Sequence, residues 1–375
     1  MRDPRHAKLA DLLVNYSTGV KPGQLVRISG SYLAMPLLTE LTRAVYQAGA
    51  HPMLRMGYEE LEEIALKYAT DDQLKYVNPV AQSEVEKIDV HIGLWAEGNT
   101  RHLTQADPKR LAISQSSRKP IFDVFMRRAA LGELKWVGTQ YPTPGCAQDA
   151  EMSLSEYEDF VFGAGLLNDP DPVASWRRVS QTQQRLVDFL NGKRDYRVVA
   201  ANGTDIRMSV TDRVWLNCDG HENFPDGEVF TGPVLDSVDG HIHFSFPAVH
   251  LGREVQDARL TFRHGKVVDA SAAKGEDFLL QMLDVDAGAR FMGECAIGTN
   301  FGITRYTKNT LFDEKIGGTV HFAIGAGYPE TGNTNESGLH WDMVVDLRRG
   351  GHVEIDGHKV LVDGKFTRED WPAAR

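Results

Sequence analysis

The pattern of apolar residues changes near the middle of this chain, and that change most restricts how the chain can fold. In the first half, segments typical of buried strands alternate with segments of helical periodicity, which indicates a parallel sheet with helices on its faces. The predicted strands are 24–31, 51–57, 89–97 and 134–142. The predicted helices are 5–17, 37–50, 58–77 and two within 107–133 that separate near Pro120.

The second half has short strands and tight turns. Two more helices are predicted within 153–193, and strands follow from residue 196 onward, with one long helix at 274–289. The turn sequences HGK, DGH and DGK favour hairpins, because glycine supplies the positive φ that such turns require. We therefore predict an α/β protein with an N-terminal α/β domain, residues 1–190, whose sheet is mostly parallel. A C-terminal domain, residues 191–375, would be mixed and largely antiparallel β with helices.

Composition restricts the function. The 375 residues include 41 lysines and arginines against 52 aspartates and glutamates, and the net charge of −11 disfavours a nucleic-acid partner. Three cysteines without a CxxC pair indicate reduced thiols, and the charged N-terminus does not resemble a signal peptide. No apolar run is long enough to span a membrane. We expect a cytoplasmic protein that binds neither nucleic acid nor membranes.

Common nucleotide-binding and nucleophile motifs are missing from the sequence. There is no GxxxxGKS/T phosphate loop, and no GxGxxG follows a predicted strand. There is also no GxSxG nucleophile elbow. The N-terminal domain is therefore expected to gate the substrate or to support the structure, and the chemistry is expected in the C-terminal domain.

Five side chains in the last third of the chain are candidate metal ligands. Glu228 and Glu294 stand beside glycines in FPDGEVFTGP and GECAIGTN, and His321 lies in the alternating segment TVHFAIG. His340 and Asp342 are two residues apart in HWD, so in a strand both would point to one face. Three carboxylates and two imidazoles suit two divalent ions, a combination that is sufficient for hydrolysis.

Other residues form weaker patterns. His241 and His243 in GHIHF are also two residues apart, but no carboxylate stands near them in a comparable context, so we interpret them as strand residues. His221 and Glu222 lie just before the first candidate ligand and are expected to orient it from a loop. Cys295 is expected to be buried as a small apolar residue.

Taken together, these motifs resemble the M29 metallopeptidases, the thermophilic aminopeptidases of types T, S and II. The resemblance covers the whole chain and is most specific between about residues 215 and 346. It is carried by NCDGHENFPDGEVFTGP, FMGECAIGTNFGI and DEKIGGTVHFAIGAGYPETGNTNESGLHWDMVVD. The resemblance implies a homodimer that removes N-terminal residues from peptides with two divalent ions, Zn²⁺, Co²⁺ or Mg²⁺. Its dinuclear site would lie in a cavity of the C-terminal domain, and the N-terminal domain would contribute dimer contacts.

The resemblance also implies roles for individual residues. It makes Tyr328 the active-site tyrosine and assigns the metal ligands to Glu228, Glu294, His321, His340 and Asp342. As a hypothesis, a metal-activated water attacks the scissile carbonyl after losing its proton to Glu294, and Tyr328 donates a hydrogen bond to the oxyanion. Either Glu228 or Glu294 would bridge the two ions.

Two other functions are compatible with these residues. One is a mononuclear Fe(II) ring-cleaving dioxygenase on the same scaffold, because His321, His340 and Asp342 form the two-histidine, one-carboxylate set of that chemistry. A single iron would not need the two glutamates, so the peptidase is favoured. The other is a non-catalytic binding protein, against which the intact ligand set argues.

Overall fold

A computed structural model describes residues 3–374 of the chain. Unit 1 comprises the chain up to Val173 together with Gly220–Phe224, and unit 2 comprises Ala174–Asp219 and the chain from Pro225 onward. The division lies earlier than the predicted boundary at 190–191. The helix between the two positions contributes Leu186, Val187 and Leu190 to the hydrophobic core of unit 2, which is why it belongs there.

The α-helices and β-strands of the described residues are given below; a π-helix (Leu12–Ser17) and two 3-10 turns (Tyr32–Ala34 and Pro329–Thr331) accompany them. The helices are α1 (Pro4–Asp11), α2 (Met35–Gln47), α3 (Glu59–Tyr68), α4 (Asp71–Leu74), α5 (Pro79–Lys87), α6 (Pro108–Ala130), α7 (Pro144–Asp149), α8 (Leu154–Ala164), α9 (Pro172–Leu190), α10 (Glu276–Leu283) and α11 (Thr310–Asp313). The strands are β1 (Leu25–Ser31), β2 (His51–Gly57), β3 (Val90–Trp95), β4 (Lys135–Gln140), β5 (Asp195–Ala200), β6 (Asp205–Ser209), β7 (Leu216–Cys218), β8 (Asn223–Phe224), β9 (Glu228–Thr231), β10 (Asp239–His243), β11 (Ala248–His250), β12 (Arg253–Val255), β13 (Arg259–Arg263), β14 (Lys266–Ser271), β15 (Met292–Gly298), β16 (Thr319–Gly325), β17 (His340–Asp346), β18 (Gly351–Ile355), β19 (His358–Val362) and β20 (Lys365–Phe366).

Unit 1 contains a parallel sheet in the order β2-β1-β3-β4-β8, as the alternation of the first half predicted. The expectation of two helices within 107–133 was wrong, because α6 continues through Pro120, which is exposed. Both ends of α6 are anchored to neighbouring backbone. Arg110 donates a hydrogen bond to the carbonyl of Leu66, and Arg128 donates one to the carbonyl of Ile88.

Unit 2 is mostly antiparallel, as predicted. Its eight-stranded sheet has the order β14-β13-β10-β6-β5-β18-β19-β20, and β11 pairs with β12 in a separate ribbon. A five-stranded sheet in the order β17-β16-β15-β9-β7 carries the candidate ligands and is called the ligand sheet below. Residues of both large sheets join one hydrophobic core, so the two sheets pack face to face. Helix α10 is shorter than the predicted 274–289.

Among residues 3–374, no helix combines the length and the apolar character that a membrane span requires. All three cysteines are free thiols.

Candidate metal centre

Three neighbouring strands place four candidate ligands on one face of the ligand sheet. The register sets Glu294 of β15 opposite Ala323 of β16, and Ala323 opposite Asp342 of β17. His321 and His340 each precede one of these positions by two residues, so their side chains share the same face. The two-residue spacing in HWD therefore places His340 and Asp342 on one face of β17, as expected. Strand pairing brings both residues beside Glu294.

The fifth candidate ligand joins this face from the next strand. Glu228 of β9 lies opposite Gly298 of β15. Beneath the ligands, Ala296, Ala323 and Gly325 occupy the same face and leave space above the sheet. The opposite face is apolar and belongs to the core, to which it contributes Val229, Cys295, Ile297, Val320, Phe322, Ile324, Trp341, Met343 and Val345. Cys295 is fully buried there, in agreement with its expected role.

Glu294 is common to two groups of ligand atoms. Its Oε1 lies 3.2 Å from Nε2 of His321, which lies 3.4 Å from Oε2 of Glu228. Its Oε2 lies 3.5 Å from Nε2 of His340, which lies 3.5 Å from Oδ2 of Asp342. Within each group the ligand atoms are all within 4.8 Å of one another. The five candidates therefore form two adjoining triads that share one carboxylate.

Backbone carbonyls orient both histidines. Nδ1 of His321 donates a hydrogen bond of 2.8 Å to the carbonyl of Glu314, and Nδ1 of His340 donates one of 2.8 Å to the carbonyl of Ala326. A carbonyl only accepts, so Nδ1 carries the hydrogen in each ring. Nε2 is thereby directed at the carboxylates, an arrangement typical of metal-binding histidines.

The buried charges strongly shift the ionisation of these groups. Burial opposes the charged form of His321 and His340, but the neighbouring carboxylates outweigh it and raise both pKa values to about 10. Burial raises the pKa of Glu228 well above its usual range. Burial acts in the same direction on Asp342, yet the two histidines outweigh it and lower the pKa of that carboxyl. In the metal-free protein, protons bound to these groups offset the repulsion between the carboxylates. A bound metal ion would displace those protons.

The residues present fit divalent ions. Oε2 of Glu228 and Oδ1 of Asp342 are buried and have no hydrogen-bond partner among the described residues. Unsatisfied buried acceptors of this kind are costly unless another group binds them. Carboxylate oxygens and imidazole nitrogens are ligands that Zn²⁺ and similar ions accept.

Two charged residues that the sequence analysis did not single out also belong to the centre. Glu314 forms a further group of candidate ligand atoms with His321 and Asp342. The side chain of Lys315 is fully buried; it forms an ion pair with Glu314, and its Nζ lies 3.6 Å from Oε1 of Glu228. Burial opposes the charge on Lys315, but the carboxylates outweigh it and raise its pKa well above the usual range. In DEKIGG, Glu314 and Lys315 stand three and two residues before a glycine pair, not directly after a glycine as Glu228 and Glu294 do, so the same local signal did not identify them.

Two residues of the centre line a small cavity. It has a volume of about 20 Å³, and its lining includes Tyr306, Asp313, Glu314 and Asp342. A space of this size holds about one water molecule.

Tyr328 lies in the loop that follows β16. Its side chain is 43% exposed, and its ring centroid lies 5.3 Å from that of Phe230 and 5.2 Å from that of His340. Partial burial, together with the carboxylates of Glu294 and Asp342, raises the pKa of its phenol. The hydroxyl therefore keeps its proton and can donate a hydrogen bond.

None of the weaker sequence candidates belongs to a group of ligand atoms among the described residues. His243 of β10 is hydrogen-bonded to Asp257, and its strand belongs to the eight-stranded sheet. His221 packs on Tyr16 with ring centroids 4.8 Å apart, and both residues belong to unit 1. Within unit 2, Nζ of Lys315 lies beside the carboxylate of Glu228.

Residues 2–366 match the family model of the thermophilic metalloproteases, M29. The chain belongs to the M29 family. This assignment confirms the resemblance of the ligand-bearing motifs, and a metalloprotease family implies a bound divalent metal. The ligand groups described above are where this M29 chain could hold it.

Known proteins resemble this M29 chain over nearly its full length. Aminopeptidase 2 of Geobacillus stearothermophilus is 27% identical, with 97% of each chain covered. The structure of wild-type AmpT from Thermus thermophilus has a TM-score of 0.85 at 23% identity, with 97% of this chain and 99% of that chain covered. A 2,5-dihydroxypyridine dioxygenase from Pseudomonas putida KT2440 has a TM-score of 0.57 at 13% identity, with 97% and 98% covered. At such identities the two structures show the shared fold and confirm its mixed α/β class.

Proposed function

We propose that this M29 chain is a dinuclear, metal-dependent aminopeptidase. The observation that carries the proposal is the pair of ligand triads that share Glu294. The name of the Geobacillus relative, an aminopeptidase, supports the choice of reaction. Glu228, Glu294 and His321 would hold one ion, and Glu294, His340 and Asp342 the other. Zn²⁺, Co²⁺ and Mg²⁺ are the candidate ions.

The residues of the centre then divide into ligands and reacting groups. Two bound divalent ions would polarise the scissile carbonyl and lower the pKa of a water molecule. Both oxygens of Glu294 face histidine nitrogens, so this carboxylate suits the bridging position. The role of general base, which the sequence analysis gave to Glu294, then passes to Glu314, which lines the cavity large enough for one water.

Glu314 and Tyr328 would complete the reaction. Glu314 accepts the proton of the attacking water and returns it to the leaving amine, so the carboxylate ends the cycle as it began. Tyr328 donates a hydrogen bond to the oxygen on which negative charge develops. The free α-amine of a peptide would pair with a carboxylate of the centre, which explains a restriction to N-terminal residues. We further propose that the enzyme acts on peptides as a cytoplasmic homodimer.

A metal titration tests this function. Metal-stripped protein would be titrated with Co²⁺ and, separately, with Zn²⁺, while hydrolysis of a leucyl chromogenic amide is followed. Activity that saturates near two ions per chain supports the proposal, and saturation at one ion contradicts the dinuclear centre. Glu314→Gln should abolish turnover and keep both ions, whereas Glu330→Gln, an exposed neighbour of the active-site loop, should change neither.

The dioxygenase is the second candidate, because His321, His340 and Asp342 do lie together in the structure. It would be supported if the protein hydrolysed no amide with any ion but consumed oxygen with Fe²⁺ and a dihydroxypyridine. The two glutamates in the triads favour the peptidase.

A further inference from the structure

The most unusual charge in unit 2 is the ammonium group of Lys315. Its side chain has no exposure to solvent, and acidic side chains surround it. Nζ forms an ion pair with Glu314 and lies 3.6 Å from Oε1 of Glu228 and 4.0 Å from Oδ1 of Asp226. Removing an ammonium group from water costs free energy. A protein tolerates that cost only where the partners of the ammonium are charged as well.

The side chains next to the Lys315 ammonium include a group of potential metal ligands. Ligand atoms of Cys218, Asp226 and Glu228 lie within 4.8 Å of one another. Glu228 is thus shared between this group and the triad that contains His321. Lys315 reaches two of the three residues, so its ammonium stands beside the place where a cation would otherwise bind.

The charges of the centre balance only if the ammonium is counted. The centre contains five buried or half-buried carboxylates, three of them within ion-pair distance of the ammonium, and Lys315 neutralises one of the five. The remaining four negative charges equal the charge of two divalent ions. The carboxylates are those of Asp226, Glu228, Glu294, Glu314 and Asp342.

The backbone of this segment is fixed next to the ligand sheet. A Cβ atom added to Gly298, the residue opposite Glu228, would lie 2.2 Å from the carbonyl oxygen of Ile316 and 3.1 Å from the carbonyl carbon of Lys315. The amide of Asn300 donates a hydrogen bond of 3.1 Å to the Lys315 carbonyl. The glycine therefore permits a close approach that sets the ammonium beside Glu228.

We propose that Lys315 is a positioning residue that acts as a built-in third cation. Its ammonium neutralises the Asp226 side of the centre, turns Glu228 toward the triad of His321, and prevents a third metal ion from binding at Cys218. The inference rests on the proposed dinuclear function and deepens it, because it states what limits the centre to two ions.

The test compares lysine-to-methionine substitutions at two positions. Lys315→Met removes the ammonium and keeps most of the length of the side chain, and Lys359→Met removes an exposed ammonium from β19 of the eight-stranded sheet. Both proteins and the wild type are loaded with Co²⁺, and bound cobalt is counted after equilibrium dialysis. A thiolate-to-Co²⁺ charge-transfer band in the near ultraviolet reports ligation by Cys218.

We expect Lys315→Met to bind one Co²⁺ more than the wild type and to show the thiolate band. The band should disappear in Lys315→Met combined with Cys218→Ser, while kcat/KM of Lys315→Met falls about 10- to 100-fold. Lys359→Met should match the wild type in cobalt content, spectrum and activity.

The inference is overturned if Lys315→Met is folded, binds as many ions as the wild type and shows no thiolate band. If Lys315→Met does not fold without metal, Co²⁺ should restore its folding, and a protein that stays unfolded in Co²⁺ also overturns it. A different result would contradict the proposed function: wild-type protein that does not bind two ions or does not cleave the amide.

Discussion

Nε2 of His321 lies 3.2 Å from Oε1 of Glu294, although the two residues belong to different strands of the ligand sheet. The pairing of β15 with β16 sets this distance, because His321 lies opposite Ala296, two residues after Glu294. A cation bound by both side chains would therefore tie two strands together. The second oxygen of Glu294 makes the same kind of contact with His340 on the third strand.

Replacing Glu294 should affect both ions at once. We expect Glu294→Gln to weaken metal binding at least about 100-fold. Loss of a group that only hydrogen-bonds to a metal ligand already weakens binding by up to about 100-fold, and Glu294 is itself a ligand in both triads. Metal content after equilibrium dialysis measures the effect, and Glu330→Gln is the matched control. If Glu294→Gln kept two ions with unchanged affinity, Glu294 would not bridge them.

Removing the Tyr328 hydroxyl should separate catalysis from metal binding. We expect Tyr328→Phe to lower kcat about 10²- to 10³-fold, the usual effect of losing one oxyanion donor, with unchanged metal content. Steady-state kinetics and metal analysis of the same sample provide the comparison, with Tyr46→Phe on an exposed tyrosine as the control. A parallel loss of metal and of kcat would instead make the tyrosine structural.

Metal binding should release protons near neutral pH. In the metal-free protein the pKa values of His321 and His340 are about 10, so both rings are protonated at pH 7.5 and must lose a proton to bind an ion. Apparent affinity for Co²⁺ should therefore fall as the pH is lowered below 10. Isothermal titration calorimetry in two buffers of different ionisation enthalpy measures the release. Identical heats in the two buffers would contradict this prediction.

The buried amide of Gln183 should stabilise unit 2. Its Nε2 donates hydrogen bonds to Oδ1 of Asn217 and to the carbonyls of Cys218 and Glu228, which connects α9 to the ligand sheet. Gln183→Leu leaves these acceptors unsatisfied, so the free energy of unfolding should fall by about 1–3 kcal/mol. Urea unfolding of metal-free protein measures the change, and Gln181→Leu, at an exposed position of α9, is the control. Equal stability of the two variants would rule out this role.

The strands of the ligand sheet could be predicted because their information is local. In TVHFAIG and HWDMVVD, apolar side chains alternate with polar or small ones, and a strand sends alternate residues to opposite faces. This period of two places Phe322 and Trp341 in the core and His321 and Asp342 on the other face. Helical continuity through Pro120 was not predictable in this way, because contacts at both ends of α6 outweigh the local preference of proline.

The sequence by itself determined the two kinds of sheet, the strand faces of the ligands and the membership of the M29 family. The tertiary structure decided which charges meet. Glu314 and Lys315 lie in an irregular segment without periodicity, and Glu228 lies far earlier in the chain. Their proximity depends on strand pairing and on the space that Gly298 leaves, neither of which is encoded in the spacing of neighbouring residues. Alternation is a local property of the chain, whereas the balance of buried charge is a property of the packed fold.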